Sequence, residues 1–135
     1  MMPTTTIEQK YHFNAKPVEV YDAYVNPVKH AEFTGAGATG KAEAGAEYTA
    51  WDGYITGKHV ELILARKIVD EWKTSGWPEG YPPSRLELSL AVDGDGTELT
   101  MIHSEVPAEQ AAAYRQGWVD YYWEPMRKYF EKQSR

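Results

Sequence analysis

Between Val106 and Gln133, large apolar residues recur at three- and four-residue steps. Tyr114, Trp118, Tyr122, Met126 and Tyr129 fall on one line, widened by Tyr121 and Phe130. Glu109, Arg115, Asp120, Arg127 and Lys128 fall largely elsewhere. That spacing is the signature of one buried face of an α-helix. The stretch predicts a helix of ~25 residues, ~38 Å long, with Pro107 in its first turn, where a missing N–H costs nothing. Two residues interrupt it. Gly117 costs roughly 1 kcal/mol against Ala in a helix interior, and Pro125 removes a backbone bond and kinks the last turns.

The rest of the chain carries shorter periods. Thr6 to Phe13 alternates, with Ile7, Gln9, Tyr11 and Phe13 against Glu8, Lys10 and His12, and predicts a strand. Pro17 opens a short helix through Val25, Asn26-Pro27 stops it, and a second short helix runs to about Phe33. Thr34 to Ala46 is small residues and glycine, a loop or weak edge strand. Further strands are predicted at Glu47–Trp51, Tyr54–Leu64, Ile68–Lys73, Arg85–Val92 and Thr97–Val106. Asp52-Gly53 reads as a hairpin turn between the first two of these. A strand, two helices, about six strands and a long helix describe an α+β layer fold, an antiparallel sheet curled around the terminal helix. The 135 residues fit one domain, 1–135, large enough for a real core.

Composition narrows the function classes. A net charge of −6 and a pI near 5.2 argue against nucleic acid, which needs a basic face. Zero cysteines exclude a disulfide framework, a thiol nucleophile and a zinc finger. No apolar leader segment or transmembrane run is visible, so a cytoplasmic location with no membrane span is expected. Gly35, Gly37 and Gly40 match the G-x-G-x-x-G spacing but lack the flanking strand and long helix of a dinucleotide site. No serine sits in a nucleophile-elbow motif, and no metal-ligand spacing occurs. Aromatics make up 13% of the chain, including ten Tyr and five Trp. They suit either a bulky core or a binding cavity.

Strand parity selects the residues that face the helix. With Leu99 and Met101 inward, His103 and Glu105 follow. With Ile68 and Trp72 inward, Asp70 follows. Ile55 brings Gly57 and His59 with it, unless a bulge near Glu61 resets the phase. A closed pocket is therefore expected, with a floor of Trp72, Leu88, Met101 and His103. Its roof is Trp118, Tyr122 and Met126 with Tyr21 or Val25. Asp70 and Glu105 add polar groups, and a tyrosine hydroxyl is a candidate partner for each. His103 and Glu105, ~6.6 Å apart along one strand, read as a structural pair, as a pair orienting a ligand, or as an acid–base or metal pair. If His103 served the cavity, His103→Leu would leave stability equal or higher. His12 and His30 read as surface residues. Trp77 and Tyr81, in the proline-stiffened Ser75–Pro83 connection, form either a lid or a partner contact.

Several stretches carry a resemblance. They are FNAKPVEVYDAYVNP (Phe13–Pro27), DGYITG (Asp52–Gly57), KIVDEWK with SGWPEG (Lys67–Gly80), GTELTM (Gly96–Met101) and RQGWVDYYWEPM (Arg115–Met126). Together they resemble the domain named for the activator of heat-shock protein 90 ATPase, within the START-like (SRPBCC) superfamily. The match is to the C-terminal domain of the eukaryotic activators. The resemblance implies a helix-grip fold over essentially the whole chain. Those activators carry a separate N-terminal domain that makes much of the chaperone contact, and these 135 residues hold no counterpart. At Asp70 the family position is usually apolar, so this chain departs from the pattern.

Three functions follow as expectations. The first is a non-enzymatic module, without cofactor or metal, binding an unknown apolar or amphipathic small molecule. The second is a co-chaperone-like protein touching a chaperone of the heat-shock protein 90 class. The third is an enzyme using Asp70 or His103 as acid or base. The sheet is also expected to depend on the terminal helix, so that truncation before Val106 abolishes folding.

Overall fold

The computed structural model describes residues 3–133. Six strands, β1 (Thr4–Phe13), β2 (Glu47–Ala50), β3 (Ile55–Ile63), β4 (Lys67–Thr74), β5 (Ser84–Asp93) and β6 (Gly96–Pro107), form one antiparallel sheet in the order β1-β6-β5-β4-β3-β2. Helices α1 (Pro17–Val25) and α2 (Pro27–Thr34) follow β1. Helices α3 (Ala111–Trp118) and α4 (Glu124–Gln133) close the chain, joined by a π-helical turn, Val119–Trp123. This is the helix-grip architecture.

Local chemistry accounts for the short helices. Pro17 and Pro27 each open a helix, where proline's fixed φ is an advantage. Asn26 ends α1 and caps α2, its Oδ1 accepting from the N–H of Val28 at 2.9 Å and of Lys29 at 3.3 Å. Gly35 ends α2 at φ 79°, a left-handed cap that favours glycine.

The terminal helix begins later than the sequence predicts. Val106 and Pro107 are the last residues of β6, not a first helical turn, and a 3₁₀ turn over Ala108–Gln110 leads into α3. From Ala111 to Gln133 the rod is ~34 Å long. The interruption expected at Pro125 lies just before it. The Glu124 N–H bonds the Val119 carbonyl, five residues back. An α-turn here would press the Pro125 ring against the carbonyl of Tyr121, and the wider turn relieves that clash. It also lets two consecutive residues be buried, Trp123 against β1 and Tyr122 against α1 and α2. Trp123 is wholly buried, stacked on Trp118 at 5.2 Å between ring centres, with its N–H donating to Gln9 Oε1 at 2.8 Å.

Bulges shift the phase in two strands. Opposite β4, β3 carries an extra residue between His59 and Glu61, so His59 points inward while Val60 is exposed. Opposite β1, β6 spends three residues from His103 to Val106 against two from Ile7 to Thr5. Glu105 sits in this bulge at φ 59° with its side chain exposed. The parity argument that put Glu105 beside His103 fails for that reason.

Candidate functional site

The interior between sheet and helix is closely packed. Leu88, Met101, His103 and Met126 are completely buried and do not line the concavity described next, where the expected floor and roof had placed them. Tyr21 and Val25 border a different, polar-sided groove between α1 and the outer end of α4. Of the expected set, Trp72, Trp118 and Tyr122 remain together at a concavity of about 470 Å³ near the start of the helix. Its other walls are Trp51, Tyr54, Ile55, Ala113, Tyr114, Gly117 and Tyr121. None of these residues is charged.

Local geometry explains why the concavity exists. Gly117 leaves the flank of α3 bare; a Cβ there would meet only Tyr121, at 3.8 Å. On the opposite rim, the expected two-residue hairpin is instead a 3₁₀ turn, Trp51–Gly53, with Trp51 at φ 52° and Asp52 at φ 56°. A left-handed conformation is tolerated by Asp but unusual for a bulky aromatic, and costs of order 1–3 kcal/mol. The turn is pinned by the loop after α2. Asp52 N–H donates to the Gly37 carbonyl at 3.0 Å, and Asp52 Oδ1 accepts from the Gly37 N–H at 2.7 Å. Trp51 thereby stands edge-on to Tyr121, 5.6 Å between ring centres.

The floor is held from behind by aromatic contacts. Trp72 meets Tyr114, Trp77, Trp118 and His103 at ring separations between 4.7 and 6.0 Å. Trp77 also stacks on Tyr114, and its N–H donates to the Pro82 carbonyl at 3.0 Å. The Pro-rich connection therefore buttresses the floor. Tyr81 lies away from it, its hydroxyl on the Pro3 carbonyl at 3.3 Å. Two of the three helix tyrosines in its walls, Tyr114 and Tyr122, have their hydroxyls already engaged. Tyr114 shares its proton system with Thr74 and Gln110, and Tyr122 donates to His30.

His103 belongs to a closed relay. Trp118 Nε1–H donates to His103 Nδ1 at 3.1 Å, and since indole is donor-only, the imidazole proton sits on Nε2. Nε2–H donates to Ser84 Oγ at 2.8 Å, and Ser84 donates to the Trp72 carbonyl at 2.6 Å. Neither Glu105 nor a tyrosine is its partner. Burial alone holds its pKa down to about 3, so it is neutral. Ser84, set aside in the sequence as a serine outside any nucleophile motif, shares the inward parity of Leu86, Leu88 and Leu90.

His30 is not a surface residue. It is buried with Nδ1–H on the Tyr24 carbonyl at 2.8 Å and Nε2 accepting from the Tyr122 hydroxyl at 2.9 Å. Burial lowers its pKa to about 4. Phe33, three residues on, marks the buried face it shares. His12, by contrast, is exposed beside Asp93. Asp70 is fully buried with Oδ1 2.6 Å from His59 Nδ1, while its Oδ2 has no partner among the described residues. Burial raises its pKa, and the His59 bond opposes that rise. Tyr48 stacks over His59 and bonds the Glu71 carbonyl, sealing the pair from solvent. Among the described residues, no group of three or more His, Cys, Asp or Glu is placed to hold a metal ion. No helix of the described residues is long and apolar enough to cross a membrane.

A six-stranded antiparallel grip on a broken terminal helix, with an uncharged aromatic concavity at one end, places the chain in the helix-grip class. The family model "Activator of Hsp90 ATPase homolog 1-like protein" matches residues 14–131, and the chain belongs to that family. It is 32% identical over 129 residues to the human activator of 90 kDa heat shock protein ATPase homolog 1, covering 96% of this chain and 38% of that protein. The corresponding protein of Dictyostelium discoideum is 30% identical over 118 residues, covering 86% and 30%. The chain thus spans well under half the length of these relatives. Among solved structures, an HSP90 activator from Plasmodium falciparum superposes with a TM-score of 0.80 at 21% identity, over 90% of this chain and 91% of that one, and shares the fold.

Proposed function

We propose that this chain is a non-enzymatic binding domain that takes an apolar or amphipathic small molecule in the concavity bounded by Trp51, Trp72, Trp118 and Tyr121. The observation that carries this is the 470 Å³ opening walled by ten residues without a charge, a volume and lining typical of small-molecule sites. Catalysis has no comparable support. Asp70, His103 and His30 are the buried carboxylate and imidazoles with shifted pKa values that an acid–base enzyme would use. None of them borders the concavity, and His103 and His30 have both ring nitrogens engaged within the protein. Native mass spectrometry of freshly purified protein should show a retained adduct, lost in Gly117→Trp, which fills the opening. Protein that carries no adduct and is not stabilised by any member of an apolar ligand panel sinks this reading.

A second reading rests on the family. The human and Dictyostelium relatives are named as activators of a 90 kDa heat shock protein ATPase, which favours contact with a chaperone of that class in the cytoplasm. Its test is the steady-state ATPase rate of such a chaperone from the same source, with and without this chain. No change in rate and no complex by size-exclusion chromatography would remove it.

A further inference from the structure

Of the buried side-chain polar atoms in the concavity walls, two have no partner among the described residues: the indole nitrogens of Trp51 and Trp72, both sealed from solvent. Indole is a donor and never an acceptor, and a buried donor without an acceptor is a standing cost that a ligand can remove. Trp72 is clamped on all sides by Trp77, Tyr114, Trp118 and His103. Trp51 is different. It is half-buried, packed on the exposed Tyr121, and carried on two successive left-handed residues, a backbone conformation that a small rearrangement would relax. A ligand entering between Trp51 and the flank of α3 at Gly117 would displace that ring and meet its N–H.

Charge sets the other requirement. No Lys or Arg borders the opening to neutralise an anion, and no Asp or Glu to neutralise a cation. An ionic ligand would lose water there without recompense. We infer that the concavity selects an uncharged, flat, largely apolar molecule bearing an oxygen acceptor such as a ketone, and that the Trp51 indole N–H is the group that reads that acceptor. This rests on the small-molecule reading above and adds the ligand class and the specificity residue.

Fluorescence titration of the full chain with 6-propionyl-2-(dimethylamino)naphthalene, and with its 6-propyl analogue lacking the ketone, tests it. The ketone should bind about tenfold more tightly, the discrimination one buried hydrogen bond supplies, with emission shifted by hydrogen bonding. The anionic 1-anilinonaphthalene-8-sulfonate should bind more weakly than either. Trp51→Phe keeps a ring and removes the N–H. It should bring the ketone and propyl probes to within about twofold of each other, whatever the smaller ring does to the Kd of both. Gly117→Leu should abolish binding of both. Equal binding of ketone and propyl probes to the parent chain overturns the inference while sparing the small-molecule reading, as does tightest binding of the sulfonate. A ketone preference that survives Trp51→Phe removes Trp51 from the role. Failure of all three probes to bind takes down the inference and the reading together.

Discussion

Replacing His103 by leucine separates a structural histidine from a ligand-facing one, and the sign now differs from what a cavity residue would give. Leucine is close in volume and fills the site with apolar surface. It leaves the Trp118 N–H buried without an acceptor and takes away one of the two hydrogen bonds of Ser84. A stranded buried donor costs about 1–3 kcal/mol. A loss of roughly 2–3 kcal/mol at pH 7.5 is therefore expected, a sizeable part of a total stability of ~5–15 kcal/mol. The pH dependence is the sharper test. In the unfolded chain His103 titrates near 6.5, and in the fold near 3. Below pH 6.5 the unfolded state binds a proton that the folded state refuses. The stabilising contribution of the neutral ring is thus complete above 6.5 and lost as pH falls toward 3, at about 1.4 kcal/mol per unit. His30 adds a second loss of the same sign down to about 4. Asp70, with its raised pKa, contributes with the opposite sign at lower pH. Both are common to parent and variant and cancel in the difference. The variant's deficit should shrink from pH 6.5 downward and vanish near pH ~4.5–5. Urea unfolding followed by far-UV circular dichroism from pH 4.5 to 8 measures it. A deficit constant across that range, or no deficit at pH 7.5, refutes the relay as described.

Two further changes probe the scaffold. Gly57→Ala would place a Cβ 2.1 Å from the Glu71 carbonyl and 2.5 Å from the Tyr48 hydroxyl. It should cost about 3 kcal/mol or more through strand displacement and loosen Tyr48 over His59, seen as faster amide exchange in β3 and β4. Glu105→Gly relieves a left-handed residue in the β6 bulge and should raise stability by about 0.5–1 kcal/mol once glycine's unfolded entropy is counted. A fall in Tm would mean the Glu105 side chain contributes more than its exposure indicates.

Periodicity made the six strands, the two proline-led helices and the aromatic stripe readable, because each buries one face and the faces repeat. What it could not show was a change of phase. Glu105 and Val60 lie at bulges, where one extra residue reverses every later side chain. Trp123 became a core residue through the π turn, of which Pro125 was the visible trace. The chosen residues on the helix and on β4 were correct in facing inward, but facing inward is not lining a space. Met101, Leu88 and Met126 face inward and are packed solid. The concavity arises instead from what is missing at Gly117 and from a strained turn at Trp51, and neither absence of side chain nor backbone strain has a period.

The π turn also makes this helix unusually tolerant of one change in chain length. Such a turn is an α-helix with one residue added, so the segments on either side keep their angular relation if that residue is taken out. Deleting the exposed Asp120 would leave Trp118 and Met126 aimed at the sheet as they are now, provided Pro125 is replaced in the same step so that its ring does not meet the restored carbonyl ladder. The same deletion anywhere in Ala111–Trp118 would turn the upstream residues by ~100° against the sheet. Length and proline content are thus bound together at one point in the chain, and a shorter chain keeps this grip only if it also loses the proline.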